Sequence, residues 1–268
     1  MSSKPTAPGS DMATIRTSKR RAPAAARAVS VLDRLAASPG PLGVSALARD
    51  LQLPKSSVYG VCETLVEAGV LIAAPVGYSL TQHCLNWSAA YLRRSSLASD
   101  FRRIMDADPR LASYTVTLSY LDGEQVVYLA CQNAEKPLDF TFQIGMRLPA
   151  IYSATGKAML SFLPASKRAA FLNRPWPAPL TAGSVRDVGR FEVAAQQCRE
   201  KGYALDDGEI REGMVCVGAP IFGLDGMPVA GLAISMTSVE ATSEAREKLG
   251  GIIREIAASL SQGEPDPE

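Results

Sequence analysis

Residues 47–69 read Leu47-Ala48-Arg49-Asp50-Leu51-Gln52-Leu53-Pro54-Lys55-Ser56-Ser57-Val58-Tyr59-Gly60-Val61-Cys62-Glu63-Thr64-Leu65-Val66-Glu67-Ala68-Gly69, and they decide how the N-terminal third folds. Pro54 suits a helix start, because its missing N–H would have no partner in the first turn. Ser56 and Ser57 are expected to serve the first-turn amides. Val58, Val61, Leu65 and Ala68 then recur at helical spacing with Cys62 beside them, which predicts one buried stripe. Gly69 is the stop. Upstream, Ser45 is expected to cap a short helix over 46–50, with Leu51-Gln52-Leu53 as a tight turn between the two. An earlier helix runs from Ala24, with Val29, Leu32 and Leu35 at every third residue, and Ser38-Pro39-Gly40-Pro41 ends it. Downstream, Val70–Ala73 and Tyr78–Leu80 are β-like, joined by a tip at 74–77. Three helices, a tight turn and a hairpin within about sixty residues form a winged helix-turn-helix plan.

In such a motif the first turn of the second helix enters the major groove. With 58, 61 and 65 facing inward, Ser56, Ser57, Tyr59 and Gly60 face outward, and Lys55 opens the helix. Lys can bond guanine acceptors, Ser either base or phosphate, and Tyr a phosphate or a thymine methyl. The segment 1–22 has no apolar period and is expected to be a disordered arm ending in Lys19, Arg20 and Arg21. That cluster is either a solvated tail or an arm reaching phosphates or the minor groove. Residues 1–80 carry nine basic and five acidic side chains, and the remainder nineteen and twenty-two. A basic front and a mildly acidic back suggest two tasks on two domains.

The 268 residues are 47% hydrophobic and 21% charged, a globular profile. The five cysteines have no C-x-x-C spacing, which argues against a disulfide scaffold and a structural zinc. His83 is the single histidine, so a three-histidine metal site is excluded. No secretory leader and no run long enough to span a membrane is found, and a cytoplasmic location is expected.

Residues 84–108 are helical and predict a connector followed by the first helix of a second domain. From Ser113 the period becomes that of strands. Strands are expected at 114–121, 125–131, 138–144, 214–222 and 229–236, with helices at 153–163, 167–172, 188–201 and 243–260. Antiparallel hairpins dominate, so the class is α+β. The expected divisions are an arm at 1–22, a winged helix at 23–82, a connecting helix at 83–98, a second domain at 99–262 and a disordered tail at 263–268.

Tyr152-Ser153-Ala154-Thr155-Gly156-Lys157-Ala158 superficially resembles a phosphate loop but lacks its first glycine and its hydroxyl after the lysine. It reads instead as a helix start, whose free amides either hold a carboxylate or are capped by its own serine. Leu205-Asp206-Asp207-Gly208-Glu209 fits no calcium loop and is expected to be a turn of solvated acids. Cys216 lies in an apolar run and reads as an inert thiol. An enzyme using Cys216 or Asp206 is the rival reading, weakened by the lone histidine. An adaptor using its winged helix on protein is a third.

These segments, in this order, resemble the IclR family of bacterial transcriptional regulators over about Ala24 to Leu260. The resemblance rests on Leu47–Val58 and Leu65–Gly69, on Ser153–Ala158, and on Gly202–Glu209, Gly213–Cys216 and Ala219–Phe222. It implies a winged helix that pairs two chains on double-stranded operator DNA, an inverted repeat, and a GAF-like effector-binding domain. It also implies a homodimer or homotetramer, no cofactor, and a small-molecule effector, often an organic acid. Carried over, the effector site comprises Leu148, Ala154, Thr155, Asp206, Met214, Cys216 and Ser235, to which Ile151 adds an apolar wall. Two positions depart from the family's pattern: Ala233 stands where a serine is common, and Tyr59-Gly60 where His-Arg is common. The first implies a less polar wall, the second an altered operator.

Overall fold

The computed structural model describes residues 22–94, 96–134 and 140–263. The expected arm, with Arg20 and Arg21, and the tail from residue 264 lie outside them. The chain divides into two compact units between Arg93 and Arg94.

The first unit holds α1 (Pro23–Ala36), α2 (Val44–Leu51), α3 (Lys55–Glu67), the hairpin β1 (Leu71–Ala74) and β2 (Gly77–Leu80), and α4 (His83–Arg94). Helices of 8–14 residues are marginal alone, so packing holds them. Val31 and Leu35 of α1, Leu47 of α2, and Val58 and Cys62 of α3 meet Leu71 and Tyr78 of the hairpin in one core. The Arg34–Asp50 ion pair ties α1 to α2.

Two local expectations change here. Helix α2 starts at Val44 with Gly43 as its cap, so Ser45 is inside it. The reason lies upstream: Leu42 exchanges both backbone hydrogen bonds with Tyr78, at 3.1 and 3.0 Å. That bridge holds the chain extended up to Gly43, and the helix begins at once. In α3, Ser56 and Ser57 make no cap hydrogen bond, and Ala68 is exposed beyond the last turn. The α2–α3 turn puts Gln52 at φ 54°, a conformation normally left to Gly or Asn.

The second unit is built on a six-stranded antiparallel sheet. Helix α5 (Ser96–Ala107) leads into β3 (Thr115–Asp122) and β4 (Gln125–Gln132), joined by the two-residue loop Gly123-Glu124. The short β5 (Arg147–Pro149) follows, then α6 (Ala154–Ser161), α7 (Ala165–Leu172) and α8 (Val188–Lys201). After these come β6 (Ala204–Asp207), β7 (Met214–Phe222), β8 (Pro228–Thr237) and α9 (Ser243–Leu260). The strand order is β5-β4-β3-β8-β7-β6. α4 and the first residues of α5 cover the connector expected over 83–98, and residue 95 between them lies outside the described residues.

Residues 140–144 form no strand, contrary to expectation, and the edge strand is the three-residue β5. The alternation at Phe140 and Phe142 comes from aromatic packing: Phe142 is buried against Phe140 and Tyr128, at ring centroids of 4.8 and 5.2 Å. Gly145 at φ 83° then turns the chain so that Arg147–Pro149 can pair with β4.

Strand parity divides the unit into two cores. Along β7, Val215, Val217, Ala219 and Ile221 face α9, where Leu249, Ile252, Ile253 and Ile256 lie. Met214 and Cys216 face the other way, towards α6 and Phe191. All eight residues of α6 are buried. Its crossing with the Ala150 turn is close enough that a Cβ on Gly156 would fall inside the Ala150 carbonyl group. Gly156→Ala is therefore expected to cost about 3 kcal/mol or more in urea unfolding. Gly251→Ala on α9, where a Cβ meets nothing within 4 Å, is expected to stabilise by about 0.5–1 kcal/mol. Equal effects at the two sites would refute the close approach.

Candidate functional site

Two glycines let the first turn of α6 lie on the sheet. A Cβ on Gly218 of β7 would sit 2.8 Å from the Ala154 carbonyl carbon, and one on Gly231 of β8 2.8 Å from Thr155 Cβ. Ser119 of β3 donates its hydroxyl to the Thr155 hydroxyl at 2.8 Å. Ser153 caps the helix by accepting from the Gly156 amide at 3.2 Å. The amides of Ala154 and Thr155 meet no protein acceptor among the described residues. The serine thus caps one amide of the helix start and leaves two.

Those amides border a cavity with room for about one water, ≈ 10 Å³. Its walls bring together Leu148, Ala154, Thr155, Asp206, Met214, Cys216 and Ser235 from five separate elements. Ile151 is buried but lies outside this lining, because the turn before α6 directs it into the core beneath. Arg147 is exposed and pairs with Asp122 at 2.5 Å, away from the cavity. Sequence reading missed Thr117, Tyr128, Phe142 and Ile210, which complete the wall. Thr117 stands opposite Ala233 in the β3–β8 register, so its place was hidden until strand pairing was known. Two roomier cavities, ≈ 370 and ≈ 430 Å³, lie elsewhere in the unit. The small one has the unpaired amides of Ala154 and Thr155 in its wall.

Of the three acids expected to be solvated, Asp207 is exposed and pairs with Arg246, whereas Asp206 and Glu209 are buried. Asp206 pairs with Cys216 across β6–β7 and is 1% exposed. Its Oδ1 accepts from the amides of Glu209 and Ile210 at 2.7 and 3.3 Å. Behind it, Lys157 Nζ donates to the Leu205 carbonyl at 2.7 Å and to the Glu209 carboxylate. Glu209 Oε2 also accepts from the Val185 amide at 3.0 Å. A turn of acids can be buried because this lysine is supplied from α6. Burial pushes the Asp206 carboxyl up to about 7, with Lys157 opposing that rise. Burial also raises the Cys216 thiol far above its ordinary range, and the thiol shares a 3.1 Å hydrogen bond with Ser235. A protonated buried thiol is no nucleophile.

At the other unit, Lys55, Ser56, Tyr59 and Gly60 are exposed at the start of α3, Tyr59 by 53%. Ser57 is half-buried. No acidic residue stands in that first turn.

Two family models match this chain. One, described as bacterial transcriptional regulator IclR C-terminal, covers residues 89–262, and the IclR helix-turn-helix domain covers 24–72. The chain belongs to the IclR family of bacterial transcriptional regulators. It is similar to the HTH-type transcriptional regulator BhcR of Paracoccus denitrificans, 28% identical over 88% of this chain and 85% of that protein. Among solved structures it is similar to the Agobacterium tumefaciens repressor BlcR, with 38% identity, 92% and 99% coverage and a TM-score of 0.60. The fold is shared with an IclR homologue from Microbacterium hydrocarbonoxydans crystallised with 4-hydroxybenzoate, at 23% identity, 89% and 97% coverage and a TM-score of 0.74. This IclR-family chain is thus a DNA-binding transcriptional regulator, and the enzyme reading on Cys216 or Asp206 finds no support. No helix among the described residues is long and apolar enough to cross a membrane.

The raised carboxyl of Asp206 has a consequence for stability. The folded state holds its proton up to about pH 7, the unfolded state only to about pH 4. The contribution of this group is full below about pH 4 and is lost as pH rises through about 7. Asp206→Asn keeps the Oδ1 acceptor and cannot titrate. Between pH 4 and 8 the parent is expected to lose of the order of 1–3 kcal/mol relative to this variant in thermal unfolding. Parallel pH profiles would refute the raised carboxyl.

Proposed function

We propose that this regulator answers to a small carboxylic acid held in the cavity under the first turn of α6. The observation that carries the reading is the pair of unpaired amides, Ala154 and Thr155, bordering that cavity. A helix start carries partial positive charge, worth up to about 2 kcal/mol to an anion in partly buried geometry. The 4-hydroxybenzoate bound by the Microbacterium homologue is an acid of this kind. Met214, Leu148 and the neighbouring Phe142 supply an apolar wall. With room for only about one water, the cavity admits several carbon atoms only if its wall moves. Met214, with three rotatable bonds, and Phe142, on a segment outside the sheet, are its adaptable parts. The departure at Ala233 leaves that side apolar.

Lys55, Ser56, Ser57, Tyr59 and Gly60 are the proposed DNA contacts, with Arg20 and Arg21 adding phosphate contacts. A homodimer or homotetramer on an inverted repeat matches two-fold protein symmetry to palindromic half-sites. The protein acts in the cytoplasm on a metabolic, catabolic operon. Control requires only that the acid bind the DNA-competent and DNA-incompetent states with different affinity.

Two measurements test this. Calorimetry with 4-hydroxybenzoate and its methyl ester should show the acid about five- to thirtyfold tighter, the factor an anion gains at such a helix start. Equal affinity would remove the carboxylate from α6. On DNA from upstream of its own gene, Lys55→Ala should weaken binding and, if it touches phosphate alone, lower the salt slope by about one. Unchanged affinity across alanine variants of Lys55, Ser56, Ser57 and Tyr59 would refute the α3 interface.

A further inference from the structure

Among the described residues, no side-chain N or O atom shut off from open space lacks a hydrogen-bond partner. A partnerless polar atom in the buried part of this unit therefore borders a cavity. Two such atoms stand out beside the α6 amides. Asp206 uses Oδ1 for the Glu209 and Ile210 amides and leaves Oδ2 without a donor. Tyr128, 4% exposed, packs its ring on Phe142 and leaves its hydroxyl without a partner. Both residues line the cavity under α6. Burial, with Asp206 and Cys216 near, raises the Tyr128 phenol far above its ordinary range, so the hydroxyl keeps its proton and points towards that end.

Register gives the spacing. The α6 amides lie over Gly218, whereas Asp206 pairs with Cys216, two residues away along β7. Two residues of strand span about 6.6 Å. The cavity thus has a donor end and, about one short acid's length away, an end with one free carboxyl oxygen and one free hydroxyl. A ligand that reached only the amides would leave the second end unpaired, at the full cost of a buried polar group. A ligand group that both donates and accepts satisfies both atoms, and a hydroxyl does so.

Building on the carboxylate reading above, we infer that the effector is a hydroxy acid, and that Tyr128 determines this specificity. Its carboxylate meets the Ala154 and Thr155 amides. Its hydroxyl, set at the far end of the molecule, meets both atoms: it donates to Asp206 Oδ2 and accepts from the Tyr128 hydroxyl when the carboxyl is ionised, and it accepts from Oδ2 and donates to the Tyr128 hydroxyl when the carboxyl is protonated.

The test is calorimetry on the full chain with paired acids differing by one hydroxyl: 4-hydroxybenzoate against benzoate, 4-hydroxybutanoate against butanoate, and 6-hydroxyhexanoate against hexanoate. At least one hydroxy acid is expected to bind tenfold or more tighter than its partner, since a ligand without the hydroxyl leaves two buried polar groups unpaired. Tyr128→Phe keeps the ring packing and should reduce that preference to about threefold or less without weakening the plain acid. If acids bind but the hydroxyl brings no advantage in any pair, or if Tyr128→Phe keeps the preference, this inference falls and the carboxylate site stands. If Tyr128→Phe weakens both members of a pair equally, Tyr128 serves the carboxylate end and the inference likewise falls. If none of the six binds, the carboxylate site and the inference fall together.

Discussion

The effector unit depends on the backbone of α6 lying directly on β7 and β8. Contact this close is open only to glycine, which is why Gly218 and Gly231 sit beneath Ala154 and Thr155 and Gly156 sits against the Ala150 turn. The approach does three things at once. It buries a helix start, it directs two amides into the cavity, and it places Lys157, one residue past Gly156, deep enough to meet Glu209. Without the glycine floor the helix would ride up on side chains, and the amides would meet solvent.

The Lys157–Glu209 pair is costly as well as useful. Removing two charges from water takes several kcal/mol per ion, recovered only where geometry is good and remaining valences are filled. Here they are filled, by the Leu205 carbonyl and the Val185 amide. The pair ties α6 to the β6–β7 turn and so holds the donor end of the cavity to the Asp206 end. Burial pushes the neighbouring Asp206 carboxyl up to about 7, against the pull of Lys157 and with a smaller push from Glu209. Packed cores have few arrangements, so a ligand that pulls on either end of this tie can favour one of them. This is a physical route by which a small acid can bias a regulator.

Much of this was legible in the chain. The three-residue and four-residue spacing of Val58, Val61 and Leu65, with Cys62 beside them, set α3, because one stripe of a 3.6-period helix must be buried. The alternation along β7 carried both faces of the sheet at once, and Gly202 ended α8 as a left-handed cap at φ 78°. Local signals misled where a distant contact overruled them. The Leu42–Tyr78 bridge moved the α2 cap from Ser45 to Gly43, and aromatic packing at Phe140 and Phe142 imitated a strand.

By its residues alone, the chain determined two units, a helix-turn-helix with a hairpin, an α+β second unit, and the helix start at Ser153. These follow from periodicity and from capping, which act over a few residues. Only the tertiary structure decided that Asp206 and Glu209 are buried rather than solvated, because the lysine that makes this possible stands about fifty residues earlier. It also decided that Tyr128 and Thr117 join the cavity while Ile151 leaves it. Membership of a wall depends on strand register and on which face a turn presents, and both are settled by pairing between segments far apart in the sequence.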